Sequence, residues 1–368
     1  AMHEKGAKSF YRIEDGKRQF WNQATNAYAD IPGQDGLVNL QVAKSKGILW
    51  QNSGTTITDL GDGILNVEFH TKMNTIGGEV LAGLNKAIDM AEADYEGLVV
   101  YNEGGNFSAG ANVGMIFMMA AEQEMDELDF AVRQFQQTMM RMRYSSIPVV
   151  AAPHNLALGG GCELCLHADK VVAHAELYMG LVEFGVGVIP GGGGTKEFTL
   201  RLADELRDGD IRSNQFRHRL MTIAQAKVAT SAHEAFELGY LREGIDEVVN
   251  NRDLQLTVAK KAALSLAEKG YTQPKQREDI QVLGNEGLGL VYVGAETMAA
   301  GHYMSEHDRL ISEKLGWVMC GGDLSYPQPV SEKYLLDLER KAFLELCSTR
   351  KTLERLQSMV KSGKVLRN

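Results

Sequence analysis

The sequence has little cysteine and no long apolar run, and each shortage excludes a class of protein. Its four cysteines among 368 residues, Cys162, Cys165, Cys320 and Cys347, are too few for a disulfide scaffold and indicate free thiols in a reducing compartment. No run of about 18 apolar residues occurs, so we expect no membrane-spanning helix. The first residues lack the apolar stretch of a signal peptide, and we therefore expect a cytoplasmic protein.

Positive charge is also in short supply. The chain carries 38 Lys and Arg against 48 Asp and Glu, a net charge of −10. Because nucleic-acid binding needs a basic surface, we expect no nucleic-acid partner. Proline is scarce (7) while glycine is abundant (39), which favours tight turns and close backbone approach.

Short apolar strands alternate with helices in the middle of the chain. Residues 64–69, 97–101, 147–152 and 170–173 predict strands. Residues 76–93 predict a helix with one apolar stripe, formed by Val80, Leu84, Ala87, Ile88 and Ala91. Such repeated strand–turn–helix units indicate an α/β core, which we place at residues 47–250. Residues 1–46 predict a hairpin-like or irregular lead-in, and residues 251–368 predict mostly helices.

Two small-residue turns each join a strand to a helix, at residues 107–111 and 159–161. A helix N-terminus offers free N–H groups, and glycine lets a ligand oxygen approach them. Two such turns can place two N–H groups around one carbonyl oxygen and stabilise an enolate. Ordinary strand–helix connections, with glycine for packing, explain the same spacing, so these turns alone leave both interpretations open.

Two glutamates follow these turns. Glu163 lies in the first turn of the helix after Gly160, where a carboxylate either caps free N–H groups or acts as a general base. Glu183 lies in the apolar run 181–189. A carboxylate in such a run is unfavourable unless it is paired with a positive charge, used in catalysis or placed on a solvent-exposed face of the segment.

The combination of these features is more specific than its parts. Residues 157–164 (ALGGGCEL), then Glu183, then residues 189–195 (IPGGGGT) resemble the signature of the crotonase (enoyl-CoA hydratase/isomerase) superfamily, and residues 107–112 resemble its first oxyanion loop. The resemblance extends from about residue 57 to about residue 250. It implies an α/β crotonase-like fold: repeated ββα turns forming two roughly perpendicular sheets, followed here by a C-terminal helical region. The family usually trimerises, so a homo-oligomer is implied.

The resemblance also implies roles for individual residues. The N–H groups of Ala111 and Gly160 would hold a thioester oxygen. Glu163 would help activate a water for attack at C3, and Glu183 would protonate C2. The substrate, an acyl-CoA thioester, would further contact Ser108, Ala109, Gly110, Gly159, Gly161, Pro190, Gly191 and Gly192.

The presence of both glutamates favours one reaction within the family. This is the hydration of trans-2-enoyl-CoA to 3-hydroxyacyl-CoA in fatty acid β-oxidation. An isomerase, a thioester hydrolase and a non-catalytic acyl-CoA-binding module are the alternatives. Asn112 stands where many members have aspartate, which weakens any role for that side chain.

Both ends of the chain resemble bacterial fused β-oxidation proteins, in which a 3-hydroxyacyl-CoA dehydrogenase part precedes the hydratase part. Residues 8–11 and 362–368 carry this likeness, and residues 1–46 would be the tail of the dehydrogenase domain, itself an expected partner. No G-x-G-x-x-G follows an early strand, so we expect no NAD site here and no other cofactor. Coenzyme A would enter only as part of the substrate.

Several further features are weighed without entering this site. Cys162 and Cys165 form a C-x-x-C without a second pair, so buried thiols are expected and no metal site. The methionines between 115 and 142 suit either an acyl-chain tunnel or ordinary packing. The charged segment 196–222 would contact CoA phosphates, a partner domain or, as we favour, only solvent. We assign no role to His154, His167 and His174.

Overall fold

The computed structural model describes residues 2–14, 16–34, 36–207 and 209–368. Ala1, Asp15 and Asp35 of the predicted lead-in and Asp208 of the charged segment lie outside the described residues. Across the described ranges, no helix combines the length and the apolar character that crossing a bilayer requires.

The lead-in forms a small sheet of its own. Three antiparallel strands follow one another: β1 (Tyr11–Glu14), β2 (Lys17–Asn22) and β3 (Ala27–Asp30). Aromatic and arginine side chains hold them together, since Trp21 pairs with Tyr28 across the sheet and the Arg12 guanidinium lies 3.9 Å from the Tyr28 ring centroid. Helix α1 (Leu40–Lys46), capped by the Asn39 side chain, leads into the core.

The core strands divide between two sheets. In chain order they are β4 (Trp50–Gln51), β5 (Thr55–Asp59), β6 (Ile64–Phe69), β7 (Gly97–Val100), β8 (Val149–Ala151), β9 (Asn155–Leu158), β10 (Lys170–His174), β11 (Leu177–Gly180) and β12 (Glu247–Val249). Among the described residues, the larger sheet has the order β12-β10-β8-β7-β6-β5-β4, and β9 and β11 form a separate parallel pair. In the larger sheet, neighbouring strands are parallel from β12 to β6 and antiparallel from β6 to β4.

Helices return the chain from one strand to the next. The helices of the core are α2 (Gly78–Asp94), α3 (Val113–Ala121), α4 (Met125–Arg143), α5 (Gly160–His167), α6 (Gly194–Glu205), α7 (Arg212–Ala224) and α8 (Ala232–Glu237). The units β5-β6-α2, β8-β9-α5 and β10-β11-α6 repeat one ββα pattern, and in the last two the second strand joins the small sheet. The expected crotonase-like α/β class is confirmed.

Alternation along the central strands gives the large sheet two apolar faces. On one face, Leu98 and Val100 pack in the main core with α2, whose predicted stripe is fully buried. On the other face, Val99 packs in a second core with Leu256 and Ala259. A helix from the C-terminal region thus covers the back of the sheet.

The C-terminal region is helical apart from one short antiparallel pair. It comprises α9 (Arg252–Glu268), β13 (Ile280–Val282), α10 (Gly284–Ala300), α11 (Glu306–Met319), β14 (Gln328–Val330), α12 (Glu332–Cys347) and α13 (Arg350–Ser362). Ser305, Ser331 and Thr349 cap the N-termini of the last three helices through their hydroxyls. Helix α12 packs against α4 and α6, and α13 packs against α3, so this region surrounds the glycine turns.

The structure shows the burial of two groups of residues whose roles the sequence left open. Of the methionines, Met139 and Met142 are buried in the core, whereas Met115 and Met118 are exposed. In segment 196–222, Arg207, Arg212, Arg217 and His218 are exposed, as expected of a solvated face. That expectation is wrong for Arg201 and Arg219, which are buried because their guanidinium groups donate to backbone carbonyls of residues 238–240.

Candidate active site

The two glycine turns are brought together by backbone pairing with β9. The Ser108 amide donates to the Leu156 carbonyl at 2.9 Å, and the Leu158 amide donates back to the Ser108 carbonyl at 3.0 Å. A Cβ on Gly160 would lie 3.2 Å from the Ala111 amide nitrogen, so these two backbone positions are adjacent. Gly110, with φ +94, has no room for a side chain, because its Cβ would lie 2.7 Å from the Leu158 carbonyl oxygen.

The other residues expected at the substrate lie in the same place. Ser108 is buried, donates its hydroxyl to the Asn74 carbonyl and accepts the Gly110 amide. Gly159 and Gly161 flank Gly160 directly, and residues 190–192 are buried on the opposite side of Glu163. Asn112 caps α3 by accepting the Met115 amide, which is a structural role.

Glu163 does not cap its own helix. Its Oε1 accepts the amides of Gly192 and Gly194, each at 2.8 Å, at the start of α6. Its Oε2 faces Gly192 closely, since a Cβ there would lie 2.6 Å from that oxygen. One carboxylate oxygen is therefore held by two backbone donors, and the other receives no hydrogen bond from the described residues.

Glu183 approaches from another part of the chain. It begins a 3₁₀ turn, Glu183–Val186, directly after β11 and Leu181-Val182. Its Oε1 lies 3.0 Å from the position that a Cβ on Gly159 would occupy. Its Oε2 is buried and has no hydrogen-bond partner among the described residues. A buried carboxylate oxygen without a partner is rare in folded proteins and marks a place for a water or a substrate group.

Burial dominates the electrostatics of both acids. It raises the pKa of Glu163 to about 7, although the amides of Gly194 and Gly192 and the charge of Lys196 act in the opposite direction. The pKa of Glu183 is raised well above its usual value by burial and by the nearby charge of Glu163. Two carboxyl groups that interact electrostatically and differ in pKa can serve as a base and an acid near neutral pH.

A buried ionic cluster lies behind Glu163. The Lys196 ammonium is fully buried and lies 2.5 Å from Glu197 Oε1, 3.0 Å from Glu332 Oε2 and 3.1 Å from His167 Nε2. His167 Nδ1 lies 2.7 Å from the Glu163 carbonyl oxygen. Burial, and then the charge of Lys196, lower the pKa of His167, so its ring is neutral. The sequence indicated no role for His167, whereas in the structure its ring lies between the Glu163 carbonyl and the Lys196 ammonium.

One buried acid near the site was not recognised in the sequence. Glu339 of α12 is fully buried and accepts the Gly193 amide at 2.6 Å and the Lys196 amide at 3.1 Å. A signal was present: Glu339 lies on the apolar stripe of α12 with Leu335, Ala342 and Phe343. A lone carboxylate on such a stripe indicates a buried partner or a function.

One aromatic ring packs between the glycine turns. A Cβ on Gly160 or on Gly192 would lie 2.9 or 2.5 Å from the Phe135 ring. A cavity of about 1260 Å³ is lined by Phe184 and by side chains of α7, α10 and α11. Neither Glu163 nor Glu183 is among its lining residues.

The four cysteines take no part in this site. Cys162, Cys165, Cys320 and Cys347 are free and buried, as expected for small core side chains. Burial raises the pKa of the Cys162 thiol well above its usual value, which makes it a poor nucleophile.

Comparison with known proteins identifies the domain that carries the site. Residues 59–206 match the family described as enoyl-CoA hydratase/isomerase. The chain is 42% identical over its whole length to a "Probable 3-hydroxyacyl-CoA dehydrogenase" of Bacillus subtilis (strain 168), of which it covers 46%. Over 91% of its length it is 30% identical to a "Putative fatty acid oxidation complex trifunctional enzyme" of Rickettsia felis (strain ATCC VR-1525 / URRWXCal2), of which it covers 42%.

A solved structure supports the fold. The enoyl-CoA hydratase from Bacillus halodurans superposes with a TM-score of 0.57 at 16% identity, covering 83% of this chain and 100% of that one. The resemblance to crotonases and to fused β-oxidation proteins is thus confirmed. The chain spans less than half the length of these two curated relatives.

Proposed function

We propose, from the match of residues 59–206 to the enoyl-CoA hydratase/isomerase family, that the chain adds water across the C2=C3 bond of trans-2-enoyl-CoA. The product would be 3-hydroxyacyl-CoA, an intermediate of fatty acid β-oxidation. One observation carries the proposal: Glu163 lies in the helix that begins at Gly160, Glu183 Oε1 lies 3.0 Å from the Cβ position of the neighbouring Gly159, and each carboxyl group keeps an oxygen without a donor among the described residues.

In this reaction the two turns act on the thioester. The N–H groups of Ala111 and Gly160 donate to its carbonyl oxygen, which draws electrons from C3 and stabilises the enolate that forms. Losing one such donor typically costs about 3 kcal/mol of transition-state stabilisation.

The two acids then move the protons of water. Ionised Glu163 accepts a proton from a water through Oε2, and the hydroxide attacks C3. Protonated Glu183 gives its proton to C2, and the enolate electrons form the new C–H bond. Proton exchange with solvent restores both carboxyl groups, so the sum is one water added per double bond.

Product analysis tests this function directly. The protein is incubated with short, medium and long trans-2-enoyl-CoA esters, and the products are separated and weighed by mass spectrometry. We expect a 3-hydroxyacyl-CoA heavier than the substrate by one water. A shifted double bond would indicate an isomerase and free CoA a hydrolase. Binding without turnover would indicate an acyl-CoA-binding module, and any of these results alone contradicts the proposal.

The names of the relatives support a larger context for this activity. We propose that these residues work with a 3-hydroxyacyl-CoA dehydrogenase part, which would oxidise the hydroxyl group that they create. The absence of an NAD site from residues 1–368, the domain boundaries at 46 and 250, the homo-oligomer and the cytoplasmic location stay predictions. Calorimetric titration of this chain with NAD tests the first of them, and we expect no heat of binding.

A further inference from the structure

A single turn of backbone lies between two buried carboxylates. The amides of Gly192 and Gly194 point to Glu163, and the amides of Gly193 and Lys196 point to Glu339. Alternate N–H groups along the start of α6 are thus held from opposite sides.

The first part of this turn, residues 191–194, consists of glycines and has no side chains to fix its shape. Gly193 has φ +105, and a Cβ on it would lie 2.7 Å from His167 Cε1, so only glycine fits. A glycine run is flexible unless its surroundings determine its conformation. Here hydrogen bonds to the two carboxylates fix the direction of each amide.

We propose that Glu339 is a positioning residue for the hydratase site: by binding the Gly193 and Lys196 amides it fixes the turn that aims Glu163 Oε2 at the substrate. The proposal rests on the hydratase function given above. Glu339 reaches no reacting atom and acts only through Glu163.

The surroundings of Glu339 fit this role. Gln136 Nε2 of α4 donates to Glu339 Oε1 at 3.3 Å and also to the Leu336 carbonyl, so the carboxylate is held in place from α4 as well. Three donors therefore share its two oxygens. Burial raises the pKa of Glu339 to about 8, and the charge of Glu163 contributes to the rise, which places the two acids within electrostatic reach of each other.

The C-terminal region gains a defined part in catalysis from this contact. Residues 251–368 lie beyond the family match at residues 59–206, yet α12 supplies the carboxylate that completes the turn. The site would be incomplete without it.

The test uses Glu339→Gln, assayed above pH 8 where Glu339 is ionised, which keeps the shape but turns one acceptor into a donor that faces an N–H group. We expect kcat for a trans-2-enoyl-CoA to fall about tenfold to a hundredfold, the loss typical when a group that orients a functional residue is removed. KM should change less than about threefold, because the substrate contacts are intact. Glu345→Gln on the same helix, where the half-buried carboxylate pairs with Lys314, should leave both constants unchanged.

Two further variants distinguish a positioning role of Glu339 from a simple loss of stability. In the Glu163→Gln protein, adding Glu339→Gln should lower kcat no further, because both substitutions act through one group. Leu346→Ala, which removes a buried side chain of α12, should lower the melting temperature while leaving kcat of the folded enzyme unchanged.

The outcomes distinguish this proposal from the hydratase assignment. Wild-type protein that does not hydrate enoyl-CoA contradicts the function itself. An active wild type with normal kcat in Glu339→Gln overturns only the role of Glu339, as does an equal further loss in the Glu163→Gln background. If Glu339→Gln does not fold, Glu339→Asp decides. It keeps the acid but is too short to span both amides, so normal kcat would overturn the proposal.

Discussion

Glu163 accepts the Gly192 amide at 2.8 Å across 29 residues of sequence. This bond and the equally long bond from the Gly194 amide occupy one carboxylate oxygen. The other oxygen receives no hydrogen bond from the described residues. Glu163 does bind free N–H groups, but they belong to the start of α6 and not to its own helix. A side chain held this way loses little conformational freedom when a substrate binds, which favours catalysis.

Replacing Glu163 with Gln should abolish most turnover. We expect kcat for crotonyl-CoA to fall by about a hundredfold to ten-thousandfold, the range for loss of a general acid–base group. Affinity for the CoA ester, measured by calorimetry, should stay within a few-fold because the carboxamide fills the same space. The exposed Glu176→Gln serves as the matched control. Normal hydration by Glu163→Gln would exclude Glu163 as the base.

Gly160→Ala should damage the oxyanion turn specifically. The added Cβ would lie 2.9 Å from Phe135 and 3.2 Å from the Ala111 amide nitrogen, so the turn must shift. We expect kcat to fall about a hundredfold, as for loss of one oxyanion donor. Gly289→Ala, where the added methyl meets open space, is the control and should keep full activity. Equal activity of the two variants would remove Gly160 from the site.

The raised pKa of Glu163 predicts how stability responds to pH. Its folded pKa of about 7 exceeds the usual 4.5, so the native state keeps a proton that the unfolded state releases. This contribution is fully present below pH 4.5 and is lost as the pH rises through 7. The Glu163→Gln variant has no such proton to release. We therefore expect its free energy of unfolding to rise relative to that of the wild type between these pH values.

The measurement is the difference between the two proteins, taken from denaturant unfolding at each pH. The difference between the two proteins removes the contribution of histidine titration, because both proteins share it. For example, burial lowers the pKa of His154 to about 4, which makes the stability of both proteins rise with pH. Parallel curves for wild type and Glu163→Gln would show that the proton affinity of Glu163 is not raised. Glu176→Gln should follow the wild-type curve.

Lys196→Met should destabilise the fold far more than a surface lysine. Its ammonium is the buried counter-charge of Glu197 and Glu332, and breaking a buried ion pair costs about 3–5 kcal/mol. Lys333→Met, which removes an exposed pair with Asp337 on α12, should cost less than about 1 kcal/mol. Urea unfolding of both variants provides the comparison, and similar losses would mean that the cluster is not stabilising.

Local patterns in the sequence predicted much of the fold. The stripe of α2 repeats at helical spacing over about three turns, and its residues are all buried. Strand β6 matches its predicted bounds, and the glycine turn at residues 61–63 marks its beginning. The short strands β9 and β11 were missed, since four residues next to glycine carry too little periodicity to distinguish a strand from a loop.

The site was predicted only as far as its own motifs extend. Glycine turns and the two glutamates are visible because their spacing is local. Glu339 was overlooked although its place on the apolar stripe of α12 was a local signal, and its partner Gly193, 146 residues earlier, could not be inferred from that stripe. Arg201 and Arg219 were misjudged for the same reason, as the carbonyl groups that they bind come from a later loop.

The distance between Gly193 and Glu339 also sets an order of events during synthesis. At ribosomal speeds of about 5–20 residues per second, α12 is made on the order of ten seconds after the glycine turn. During that interval the nascent ββα units can pair their strands, but the turn lacks half of its hydrogen-bond acceptors. The core of the chain would therefore fold before the proposed active site is complete.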